Sequence, residues 1–259
     1  MNSKVVRLTE LDFPSLSEDR YNERLPILQQ QLQAFQQMVY LRKEKVVIAV
    51  EGTDASGKGG MIKTLIHSMD PRGYRVHCIG APYGQELHEH YLQRFWRRIP
   101  RQGNIAIFDR TWYGRVLIEK IELDLPETRW LAAYQEIEAF ERQLVNEGFL
   151  LVKIFLHISK DEQKRRFLKR LNNPEKCWKL TEADLHTRRY WDRYQQEYQL
   201  MLDNSLQVRF PWQVVAADNK YYTHVRCLEI LIEACEARYG PPRLPDPDPA
   251  VKKLAADLK

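Results

Sequence analysis

A chain of 259 residues with 44% apolar side chains can close one large core and is too apolar to stay unfolded. Its net charge of +5 is small for that length, so any taste for a polyanion must come from local clustering. No run of about 18 apolar residues and no apolar start at residues 1–10 argue against a membrane span or secretion signal, and four cysteines (Cys78, Cys177, Cys227, Cys235) without C-x-x-C spacing read as reduced cytoplasmic thiols.

In chain order, residues 18–43 place Leu25, Leu28, Leu32, Phe35 and Val39 at helical spacing, with glutamines filling the outer positions. Residues 1–44 thus read as an N-terminal helical extension that packs on a sheet or on a partner subunit. Strand patterns follow at 45–51, 74–79, 104–109, 149–158 and 212–217. The first, third and fourth are nearly continuous apolar runs, as expected of strands covered on both faces. Helical patterns separate the strands, among them 126–146 and 181–203, the latter with Thr181 as N-cap and Asp184 three residues on. This alternation predicts an α/β fold with a five-stranded, mostly parallel sheet and helices on both faces, spanning residues 45–239. Asn172-Asn173-Pro174 breaks the helix that starts near Lys160, which makes 172–180 a hinged element between helices. Residues 240–259 are a proline-rich tail, loose or docked.

The first strand runs into Gly52-Thr53-Asp54-Ala55-Ser56-Gly57-Lys58-Gly59-Gly60. A glycine-rich turn between a buried strand and a helix start aims backbone N–H groups at phosphate, and Lys58 reaches the outer phosphates. Gly59 stands where a Ser or Thr hydroxyl would hold magnesium; Asp54, inside the loop, is a replacement ligand. Asp109 ends the strand Ile105-Ala106-Ile107-Phe108, in the position of a magnesium-binding aspartate. Arg110 is the candidate for the transferring phosphate and Arg115 for the donor chain. Ligands on such sheets gather at the carboxyl ends of the strands, so Asp109 and the loop can meet. A basic run, Lys164, Arg165, Arg166, Lys169, Arg170, Lys176 and Lys179, is opposed only by Glu175; helical spacing prevents all of it from facing inward. Arg170, just before the hinge, could swing onto the reacting phosphates as an arginine finger. Trp96, Trp112, Tyr113, Trp178, Trp191 and Trp212 read as core or hinge anchors, with Trp112 or Tyr113 the alternative candidate for stacking on a base. His88 and His90, two apart, fall on different helix faces and point to no metal site.

These segments resemble the polyphosphate kinase 2 family: the loop at 52–60, His90-Tyr91-Leu92-Gln93-Arg94-Phe95-Trp96-Arg97-Arg98-Ile99-Pro100, and Ile107-Phe108-Asp109-Arg110-Thr111-Trp112-Tyr113-Gly114-Arg115-Val116-Leu117. The likeness continues through Trp178-Lys179-Leu180-Thr181 to Asp218-Asn219-Lys220-Tyr221-Tyr222, and Gly-Lys-Gly-Gly is that family's usual loop ending. It implies a P-loop kinase fold like the nucleoside monophosphate kinases, with a helical lid at about residues 165–190. It also implies reversible transfer of the terminal phosphate of inorganic polyphosphate to a nucleotide, without a covalent enzyme intermediate. Essential positions then fall on Asp54, Lys58, Asp109, Arg110 and, in the lid, Arg170. The loop residues Gly52, Ala55, Ser56, Gly57, Gly59 and Gly60, with Lys63 and Arg115, would line the phosphates. Asp54 and Asp109 would hold magnesium, with manganese an acceptable substitute.

The stretch 112–117 looks most like the polyphosphate:AMP phosphotransferase branch, so AMP to ADP is the expected reaction. Phosphorylation of a nucleoside diphosphate to ATP or GTP is the alternative. The AMP enzymes often fuse two copies of the domain, and this sequence holds one. The resemblance further implies a homo-oligomer, dimer or tetramer, in the cytoplasm, with neither nucleic acid nor membrane as partner. An ATP-dependent nucleotide kinase fits less well, because Gly59 and the dense lid cations suit a longer donor. A non-catalytic polyanion binder would have no use for the two aspartates.

Overall fold

The computed structural model describes residues 6–205, 211–243, 246, 248–256 and 258. The strands are β1 Lys45–Gly52, β2 Tyr74–Cys78, β3 Asn104–Asp109, β4 Leu150–His157 and β5 Gln213–Ala216. They form one sheet in the order β2-β3-β1-β4-β5, with every neighbouring pair parallel. The helices are α1 Glu18–Leu41, α2 Lys58–Ile66, α3 Gln93–Trp96, α4 Ile118–Glu122, α5 Glu127–Asn146, α6 Lys160–Leu171, α7 Glu182–Arg189, α8 Trp191–Ser205, α9 Lys220–Tyr239 and α10 Pro249–Ala256.

Central β1 and β4 are buried along almost their whole length, which is why both read as unbroken apolar runs. Alternation splits β1 between two cores. Val46, Ile48 and Val50 join Phe35 and Met38 of α1, Met61 and Leu65 of α2, and Leu228 and Leu231 of α9. Val47 and Ala49 join Phe108, Ile137 and Phe140 of α5, and Met201 and Leu202 of α8. Helices therefore cover both faces, as expected, and α1 contributes to the same core as the strands it precedes. In register, Val50 sits between Asp109 of β3 and Ile154 of β4, so Gly52 and Asp109 emerge at the same carboxyl edge.

One expectation is corrected. The single helix over 181–203 is two helices that part at Tyr190, whose backbone leaves helical geometry at φ −101°, ψ 29°. The Thr181–Asp184 capping box forms as expected. Tertiary demands explain the break. The α8 stripe of Trp191, Tyr194, Tyr198, Met201 and Leu202 is buried on the sheet, whereas α7 buries nothing and leans over the phosphate loop. In the tail, α10 is a helix with no buried residue.

His157, at the end of β4, is 4% exposed and ringed by Phe13, Phe155 and Trp191. Its Nδ1 has no hydrogen-bond partner. Burial holds the imidazole down at about 4, against an ordinary 6.5. Below pH 6.5 the unfolded chain takes up a proton that the folded chain refuses until about pH 4. Stability is therefore full above that window and falls as the pH drops through it, by up to about 3 kcal/mol at ~1.4 kcal/mol per unit. Urea midpoints at pH 7 and pH 4.5 check this: His157→Phe is expected to shrink the difference, and an unchanged difference would refute the assignment.

Candidate active site

The phosphate loop is shaped by steric necessity at its start. A Cβ on Gly52 would lie 2.3 Å from the Leu156 carbonyl oxygen, and φ there is 152°, so only glycine fits where β1 leaves β4. Gly57 (φ 103°) caps α2 in the left-handed region, and Ala55 shares that region at φ 62°. Lys58 Nζ folds back to donate to the Gly52 carbonyl at 2.7 Å and the Thr53 carbonyl at 3.3 Å. The Ser56 hydroxyl is buried in the loop without a partner.

Helix α6 braces the loop from behind. Arg166, 5% exposed, donates through Nη1 to the carbonyls of Ala55 (2.8 Å) and Ser56 (2.9 Å). Its Nη2 donates to the carbonyls of Ala217 (2.5 Å) and Asp218 (2.8 Å), and its Nε to Glu162 Oε1 (2.6 Å). Gln163 Nε2 donates to the Asp54 carbonyl at 3.2 Å. The Thr53 and Ser56 N–H groups bond the Leu156 and Thr53 carbonyls; with the carbonyls behind the loop held, the remaining loop N–H groups are left for an anion.

The second half of the site is the turn after β3. Arg110 takes a left-handed backbone at φ 67°, uncommon without glycine, and its N–H bonds to the Val50 carbonyl at 3.0 Å. The guanidinium lies 3.6 Å from Asp54 Oδ1. Burial alone would lower its pKa, but the fields of Asp54, Glu51 and Asp109 outweigh that and raise it. Glu51 anchors the turn: its buried Oε1 accepts from the Thr111 N–H at 2.6 Å and the Thr111 hydroxyl at 2.9 Å. Burial raises the Glu51 carboxyl, against the pull of Lys58, Thr111 and Arg110.

Trp112 and Tyr113 do not stack on a base; both are core. Trp112 Nε1 donates to Glu141 Oε1 at 2.9 Å, and Lys153 Nζ donates to Glu141 Oε2 at 2.7 Å and the Tyr113 hydroxyl at 2.9 Å. Burial pulls the Lys153 pKa down, and Glu141 offsets part of that.

A cavity of about 660 Å³ opens beside these groups, lined among others by Asp54, Arg110, Arg115, Tyr194, Tyr91 and Arg94. That volume suits a nucleotide. Arg115 bonds Glu119 at 2.7 Å and lies over the Tyr91 ring at 5.3 Å. Buried Arg94 faces Glu86 at 3.2 Å, and its Nε has no partner. From α7, Thr187 Oγ1 lies 2.7 Å from Asp54 Oδ2.

The structure thus brings Asp54, Asp109 and Arg110 together beside Lys58 and the loop. Gly59 and Gly60 sit on the exposed first turn of α2, and Lys63 is exposed further along it. Arg170 lies outside the cavity lining, donating to the Lys179 carbonyl at 3.3 Å. Among the described residues no cluster of three or more His, Cys, Asp or Glu side chains could hold a metal alone. Two carboxylates suit a divalent ion that takes its remaining ligands from phosphate and water. Glu51, Gln163, Arg166 and Thr187 escaped the sequence reading. Gln163, Arg166 and buried Phe167 share one face of α6, the spacing that could have singled out Arg166.

Residues 15–241 match the family described as Polyphosphate kinase 2. The chain belongs to the polyphosphate kinase 2 family. It is 37% identical over 236 residues to the AMP/ADP-polyphosphate phosphotransferase of Meiothermus ruber, covering 91% of this chain and 88% of the relative. It is 40% identical over 224 residues to the polyphosphate:AMP phosphotransferase of Pseudomonas aeruginosa, covering 86% of this chain and 45% of that longer protein. The crystal structure of polyphosphate kinase 2 from Arthrobacter aurescens TC1 superposes with a TM-score of 0.90 at 27% identity, covering 99% of this chain and 94% of that one. With the family come the P-loop kinase fold and the reaction class, polyphosphate-dependent phosphorylation of a nucleotide.

The bracing role of Arg166 is open to test. Arg166→Met leaves buried loop carbonyls unpaired and is expected to cost about 2–4 kcal/mol in urea unfolding. Arg165→Met, on the exposed neighbour that also pairs with Glu162, is expected to cost under about 0.5 kcal/mol. Equal losses for the two would remove the special role of Arg166.

Proposed function

We propose that this protein moves the terminal phosphate of inorganic polyphosphate onto AMP to give ADP, reversibly and with magnesium, or manganese in its place. The observation that carries this is the position of Arg110, 3.6 Å from the Asp54 carboxylate and in the field of Asp109, where the phosphate loop meets a nucleotide-sized cavity. The donor's end lies on the loop N–H groups and Lys58, with Lys63 and Arg115 along the phosphates. The acceptor occupies the cavity with its phosphate toward Arg110. Asp54 and Asp109 hold the metal ion, which neutralises phosphate charge. Arg110, with Arg170 when the lid turns inward, takes up charge on the equatorial oxygens. An acceptor phosphate oxygen forms the new P–O bond as the bridging P–O bond breaks, and polyphosphate leaves one unit shorter.

AMP is favoured over ADP by the stretch 112–117 and by relatives named for AMP, or for AMP and ADP together. A homo-oligomer, dimer or tetramer, and a cytoplasmic site belong to the same reading. No helix among the described residues is long and apolar enough to cross a membrane.

Purified protein given magnesium, long-chain polyphosphate and AMP is expected to make ADP with no ATP added. Lys58→Ala and Asp109→Asn are each expected to cut kcat by about 10²-fold or more. Turnover only with ATP as donor, or near-normal activity of Lys58→Ala, would overturn the proposal. Faster turnover of ADP than AMP would shift the acceptor alone.

A further inference from the structure

The loop lacks the hydroxyl that phosphate loops usually carry after the lysine. Sterics do not forbid one: a Cβ on Gly59 would meet open space. A hydroxyl reaches the same aspartate from elsewhere in the chain. Thr187 of α7, 133 residues beyond Asp54, places Oγ1 2.7 Å from Asp54 Oδ2. The same oxygen lies 2.9 Å from the carbonyl of Asp184, one turn back in its own helix.

A hydroxyl has one proton and two lone pairs, so it can satisfy only one of these acceptors at a time. With the proton on Asp54 it bridges two elements. With the proton on the Asp184 carbonyl it remains satisfied within α7, and its lone pairs are offered to whatever Asp54 holds. The second arrangement leaves no buried proton stranded when a cation arrives. Thr187 and Asp54 both line the cavity, so a hydrated ion has room there. Besides Thr187, α7 is held only by side chains at its surface: it buries none, His186 Nδ1 lies 3.3 Å from Glu122 Oε1 of α4, and Arg188 bonds the Lys160 carbonyl (2.7 Å) and Gln163 Oε1 (3.1 Å) of α6.

We propose that Thr187 supplies from the lid the metal-facing hydroxyl missing at Gly59, as a ligand or as the acceptor for a water on the ion. Metal affinity and the seating of α7 are thereby linked, and each strengthens the other. The inference rests on the reading of Asp54 as a metal-holding residue.

The test is Mn²⁺ binding to the intact protein without nucleotide, read from loss of the free-ion electron paramagnetic resonance signal. Thr187→Val keeps the shape and loses the oxygen; it is expected to weaken Mn²⁺ binding five- to tenfold. Thr187→Ser is expected to bind within twofold of the unaltered protein. Hydrogen exchange adds a second readout: Mn²⁺ is expected to protect α7 amides in the unaltered protein and not in Thr187→Val. If Thr187→Val binds Mn²⁺ as tightly or more tightly, the hydroxyl is at most a competing latch and the inference falls. Asp54→Asn separates the two claims. If it abolishes binding while Thr187→Val does not, only the lid hydroxyl is wrong; if it too binds normally, the metal assignment fails with it.

Discussion

One guanidinium closes the back of the phosphate loop. Arg166 collects carbonyls from the loop at Ala55 and Ser56 and from the segment after β5 at Ala217 and Asp218, and Glu162 balances its charge. A loop meant for anions has a built-in problem, since its carbonyls are as strong as its N–H groups and carry the wrong sign. A buried cation behind the loop solves it by fixing which dipole ends face out. It also ties three separate parts of the chain at the carboxyl edge of the sheet, so loop geometry and the seating of α6 depend on each other. The basic run in this region therefore has two kinds of members: Arg166 is a structural element of the loop, while exposed neighbours such as Arg165 remain outside it.

Across the site the logic is reversed, with carboxylates gathered around a cation. Arg110 sits in the fields of Asp54, Glu51 and Asp109, and only Glu51 is spoken for by backbone and hydroxyl donors of the turn. Glu51 fixes Thr111, Thr111 fixes the turn, and the turn holds Arg110 in a left-handed backbone that a side chain rarely adopts. Beneath it, the Lys153–Glu141 pair clamps Trp112 and Tyr113 into the core. The reacting end of β3 is thus rigid from below.

Much of this was legible in the sequence, and the failures share a cause. Strands β1, β3 and β4 announce themselves because burial on both faces leaves no polar alternation. The loop was legible because only glycine permits a backbone such as that of Gly52, and the Asp109-Arg110 pair because it closes an apolar strand. Roles set by tertiary contact were not. Charge alone does not tell Arg166 from Arg165; only the shared face with Gln163 and Phe167 hints at which of them turns inward. The break at Tyr190 has no glycine or proline to mark it; α8 must bury its aromatic stripe while α7 reaches Asp54, and one straight helix cannot do both. Trp112 can be read as core or as a base-stacking ring until Glu141, 29 residues away, claims its N–H.

The two sides of the site also differ in how their charge is held. On the cavity wall Arg115 already faces Glu119, and Arg94 faces Glu86. Any anion that enters there must compete with those carboxylates. On the outer side of α2 the cations crowd one another instead. Burial first, and then Arg166, Lys169 and Lys176, push the Lys220 pKa down. Burial, Lys220 and Arg166 together hold His224 at about 4, with its Nε2 3.8 Å from where a Cβ on Gly60 would lie. Glu162 offsets part of this crowding, and a polyanion arriving on the loop relieves more of it.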